Sequence, residues 1–96
     1  MRIQEILEKV ITRKAQEKAD ELGIEFKVKH SVKKGMDTIL VRIKRDIPES
    51  AEGLTDVEIQ SYKEVIDKQN LFADYISGLI VPTYLNVVRF TYPSKL

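Results

Sequence analysis

The chain has 96 residues, 43% of them apolar and 32% charged, with 16 Lys/Arg against 15 Asp/Glu and a formal net charge of +1. That length fits one domain, 1–96, with one modest core. The absence of cysteine excludes disulfides, zinc–thiolate sites and thiol nucleophiles. The N-terminal stretch is studded with charges, and runs such as Ile39-Leu40-Val41 and Leu79-Ile80-Val81 are far too short to cross a bilayer. A cytoplasmic protein with no membrane partner is therefore expected. The near-neutral total conceals an asymmetry. Residues 1–45 hold 12 Lys/Arg and 7 Asp/Glu (net +5), whereas residues 46–96 hold 4 and 8 (net −4). A chain polarised in this way can orient a partner or stack subunits head to tail.

Residues 2–22 read as the first helix, because Ile3, Ile6, Leu7, Val10, Ile11, Ala15, Ala19 and Leu22 follow the i, i+3, i+4, i+7 rhythm. Gly23 follows as a left-handed cap. The alanines near its end permit close approach to a sheet. Residues 24–45 read as a hairpin. Apolar residues alternate with polar ones through Ile24, Phe26 and Val28, turn at Lys33-Lys34-Gly35, and alternate again at Ile39, Val41 and Ile43. One face is oily and the other carries Lys27, Lys29, Leu40, Arg42 and Lys44.

A loop over 46–54 ends in Thr55-Asp56-Val57-Glu58, a capping box that starts the next helix. That helix is expected over 56–77, either continuous or kinked at Asn70, where Gln69-Asn70 interrupts the apolar stripe. Gly78 is its expected cap and Pro82 its stop. Residues 83–92 are rich in β-formers and read as a third strand, closed by Pro93. The expected fold is thus α+β, in the order α-β-β-α(α)-β. Both helices carry a single apolar stripe, so they are expected to cover one face of a three-stranded sheet.

Chemistry-bearing residues are sparse. His30 is the only histidine, and Ser31 beside it points to the opposite face of the strand. The carboxylates Asp46, Glu49, Glu52, Asp56 and Glu58 crowd one region, but not in the order of a calcium loop, and the helix dipole already accounts for Asp56 and Glu58. There is no glycine-rich phosphate loop. A non-enzymatic protein is expected, with no cofactor, no metal and no small-molecule substrate.

Surfaces remain. On the third strand Leu85 and Val87 fall on the face opposite to Tyr84, Val88, Phe90 and Tyr92, so apolar surface is left over beside Leu40. The leading reading is a protein-binding or assembly subunit, contacting a protein partner or a second copy through Leu40, Leu85, Val87, Arg89 and Tyr92, with Arg42 and Lys44 steering. The alternative is a nucleic-acid module using Lys27, Lys29, Lys33, Lys34, Arg42 and Lys44.

With a helix break at Asn70, the order α-β-β-α-α-β is similar to that of type II KH domains. Ile80-Val81-Pro82-Thr83-Tyr84-Leu85 resembles the entry to the last strand of the KH-like family of bacterial ribosome-binding factor A. That resemblance implies an RNA-binding fold, although Lys68-Gln69-Asn70-Leu71 stands where KH domains carry the Gly-x-x-Gly that clamps a nucleic-acid backbone. In size and Lys/Glu/Ile-rich composition the chain also resembles small bacteriophage or mobile-element proteins.

Overall fold

A computed structural model describes the backbone of residues 3–33, 35–80 and 87–96, and the side chains of residues 9–31, 35, 38–79 and 88–96. The order is α1 (Ile3–Leu22), β1 (Phe26–Lys33), β2 (Met36–Ile43), α2 (Asp56–Ile80) and β3 (Val87–Thr91). The strands form a mixed sheet in the order β1-β2-β3. β1 and β2 are the antiparallel hairpin, with Phe26 opposite Ile43 and Val28 opposite Val41. β3 lies parallel to β2, with Ile39 opposite Val88 and Val41 opposite Phe90. Parallel neighbours need a crossover, and α2 supplies it.

The local signals act as their chemistry requires. Gly23 has φ 71° and lets the Ile24 N–H reach back to the Ala19 carbonyl at 2.8 Å, the closing bond of a Schellman cap. Thr55 and Glu58 form the capping box reciprocally: the Glu58 N–H donates to Thr55 Oγ1, and the Thr55 N–H donates to Glu58 Oε1, both at 3.2 Å.

Both helices pack on one face of the sheet. α1 lies beside α2 and against β1, while α2 reaches β3. Ala15 and Ala19 of α1 are fully buried, and Ile39, Val41 and Ile43 of β2 meet Phe72 and Ile76 of α2 beneath them. Phe26 and Phe72 meet edge to face with ring centroids 5.1 Å apart.

The structure decides between the continuous and the kinked second helix, and it corrects one expectation, the cap at Gly78. α2 is unbroken, so the order is α-β-β-α-β and not that of a type II KH domain. The interruption at Gln69 has a structural cause. Gln69 is only 3% exposed, its Nε2 donates to the Lys44 carbonyl at 2.9 Å, and its Oε1 accepts from Arg45 Nε at 2.6 Å. The polar residue ties the helix to the end of β2 instead of breaking it. Gly78 does not cap α2, which runs on to Ile80. A glycine in a helix interior costs about 1 kcal/mol relative to alanine, which tertiary packing outweighs here. The described part of β3 is Val87–Thr91, and the expected strand residues 83–86, with the expected stop at Pro82, lie outside the described residues.

The shape is elongated, 51 × 28 × 19 Å, with a radius of gyration of 15.2 Å where a compact domain of this length has about 12.5 Å. α2 accounts for this. At 1.5 Å per residue its 25 residues span about 37 Å, against about 26 Å for an eight-residue strand. Gln69 sits at the end of β2, so the helix residues before it project past the sheet. The loop 46–54 folds along this projecting half. Ile47, Pro48, Leu54, Ile59, Tyr62 and Ile66 line the seam between them, around a cleft of about 160 Å³. Loop and half-helix together make a finger at one end of the molecule.

Candidate interaction surface

The sheet has two unlike faces, and the alternation of its strands decides which residues each receives. The covered face takes Phe26, Val28, Ile39, Val41, Ile43, Val88 and Phe90. No described helix covers the other face, called here the open face. Across it the register places Lys27 opposite Arg42 and Arg42 opposite Thr91, then Lys29 opposite Leu40 and Leu40 opposite Arg89. Leu40 is therefore flanked by Lys29 and Arg89, with Arg42 two residues along the same strand. Lys27, Lys29 and Arg89 are exposed, while Leu40 and Arg42 are half-buried. Among the described residues, no carboxylate stands within ion-pair distance of Lys29, Arg42 or Arg89. Lys27 Nζ donates to the Leu96 carbonyl oxygen at 3.5 Å. At the edge of the face Lys44 is paired with Glu25 at 3.5 Å, which removes much of its field from the surface.

The expected site residues thus divide. The register brings Leu40, Arg42 and Arg89 together, with Lys27 and Lys29 beside them. Val87 belongs to β3 opposite Thr38, and Lys33 ends β1. Leu85 and Lys34 lie outside the described residues. Tyr92 belongs elsewhere. It packs against the core, and the Arg45 guanidinium stacks on its ring 4.0 Å from the centroid. The Arg45 N–H also donates to the Pro93 carbonyl at 2.8 Å, so Gln69, Arg45 and Tyr92 form one latch joining α2, the end of β2 and the segment after β3. Alternation already groups Tyr92 with Val88 and Phe90, and that signal outranks its neighbour Thr91 as a guide to its side.

His30 is half-buried opposite Ile39, on the covered side of the hairpin. Among the described residues, no group of three or more His, Cys, Asp or Glu is placed to hold a metal ion. Asp46, Glu49, Glu52, Asp56 and Glu58 are all exposed along the finger. A second cleft of about 260 Å³ lies at the root of the finger between Leu22, Ile24, Glu25, Lys44, Val65 and Lys68. It is open and lined by charges of both signs, and no nucleophile–base pair converges on it. None of the described helices is long and apolar enough to cross a membrane.

Known proteins offer no template. No family model, no curated protein and no solved structure matches this chain.

Proposed function

We propose that this chain is a non-catalytic, cytoplasmic binding protein that docks a protein partner on the open face of its sheet. One observation carries the reading: the helices cover one sheet face only, and the other presents Leu40 among Lys27, Lys29, Arg42 and Arg89. An apolar centre ringed by cations suits a partner surface that is apolar at its middle and acidic around it. The same cations favour a second reading, contact with the phosphates of a nucleic acid. That reading lacks stacking residues, since both hairpin and β3 phenylalanines, Phe26 and Phe90, belong to the core side.

Site-specific photo-crosslinking separates the two. A photoreactive residue at Leu40 is compared with one at the exposed Lys14 of α1. The proposal expects a discrete, nuclease-resistant protein adduct from position 40 alone. Nuclease-sensitive adducts would establish the nucleic-acid reading, and equal labelling from both positions would remove the open face as the binding surface.

A further inference from the structure

The finger and the open face are opposites in charge and alike in plan. Residues 46–67, which build the finger, carry seven carboxylates and one lysine, Lys63. All seven carboxylates are exposed. Near the finger's tip Val57 is 77% exposed, the most exposed large apolar side chain among the described residues, and it stands between Asp56 and Glu58. On the sheet, Leu40 stands among Lys29, Arg42 and Arg89. The finger therefore carries an apolar residue between acids, and the face an apolar residue among cations.

We propose that the open face takes the acidic finger of a second copy of this chain. This rests on the reading of the open face as a protein-docking surface and names its partner. The sizes agree: three strands make a face roughly 14 Å wide, and a helix with its side chains is about 10–12 Å across. A molecule cannot satisfy its own face. The finger is rooted in the helical layer, on the covered side of the sheet, and runs past the sheet's end. Docking is therefore between copies. One finger on one face leaves a finger and a face over, to be taken up by the reciprocal contact of a two-fold dimer or by further copies in an open chain; the mass of the unaltered assembly distinguishes the two. Because opposite charges steer the contact, assembly depends on protein concentration and on salt.

The experiment uses two neutral variants made wholly at exposed or half-exposed sites. The face variant is Lys29→Gln with Arg42→Gln, and the finger variant is Glu49→Gln, Glu52→Gln and Val57→Ser. Sedimentation velocity at about 20 mM salt should show the unaltered chain growing with concentration beyond its 11.1 kDa monomer, and returning to it at about 0.5 M salt, where the screening length falls below ~5 Å. Each variant alone should remain a monomer. An equimolar mixture should form a 1:1 dimer and stop there, because one intact finger meets one intact face and nothing is left to propagate. An unaltered chain that stays at monomer mass at every concentration overturns the proposal. So does assembly that survives either variant, or a mixture that stays monomeric. Should the unaltered chain stay monomeric while position 40 still yields a discrete protein adduct to another chain, the self-docking falls and the protein-docking reading stands. With neither assembly nor adduct, both fall.

Discussion

Neighbouring residues of β2 live under opposite rules. Ile39, Val41 and Ile43 are buried beneath two helices, where any change of volume or polarity is felt by the whole core. Leu40 and Arg42, one residue away, are half-buried on the face that no described helix covers, beside their strand neighbours. The difference teaches how a small sheet separates stability from binding: one face holds the fold, and the other is available to a partner at little cost to it. α2 repeats the division lengthwise. Its second half, with Phe72 and Ile76, is core, while its first half has no fully buried residue and leans on a loop.

The sharpest way to break this comparison is a charge on each side of β2. Val41→Asp buries an unpaired carboxylate and should cost more than about 4 kcal/mol, enough to unfold a domain of this size. Leu40→Asp should leave the melting temperature within a few degrees of the parent. Equal losses from the two would erase the distinction between the faces. Next in size, Phe72→Ala should cost about 3–5 kcal/mol by chemical denaturation, since it removes the largest fully buried side chain among the described residues and the ring that meets Phe26.

Gln69→Ala comes third, at about 2–3 kcal/mol. It strips the Lys44 carbonyl of its donor and the Arg45 guanidinium of its acceptor in a part-buried site. A loss below about 0.5 kcal/mol would show that the latch contributes nothing. Thr55→Ala removes the cap of the projecting half-helix and should cost only about 1 kcal/mol. Hydrogen exchange should place that loss in residues 56–66 and leave the amides around Phe72 protected.

Much of the body was legible because its signals are local. Two-residue alternation marks the hairpin, a 3.6-residue rhythm marks α1, and Gly23 and the Thr55–Glu58 box mark their helix ends within four residues of sequence. Gln69 was illegible for the opposite reason. Its partner, the Lys44 carbonyl, lies 25 residues away, so a buried amide in a helix interior looked like a break in the stripe. Gly78 misled similarly, since its cost is small beside the packing that holds α2. The parallel placement of β3 and the overhang of α2 depend on how long elements sit against short ones, which periodicity does not record. The open face was half legible. Alternation grouped Lys27, Lys29, Leu40 and Arg42, but the arrival of Arg89 beside Leu40 needed the β2–β3 register. The opposed charge of the finger was present in the counts and became a shape only once the helix was seen to project.

The most direct test of docking between the open face and the finger of a second copy compares two adjacent residues in solution. Methyl resonances of Leu40 and Val41 are followed by NMR as the protein concentration rises at low salt. The account predicts that the Leu40 methyl signals shift with concentration and return on adding salt, while those of Val41, Ile39 and Ile43 stay in place. Leu40 signals that stay fixed at every concentration, or that move no more than those of Val41, would contradict it.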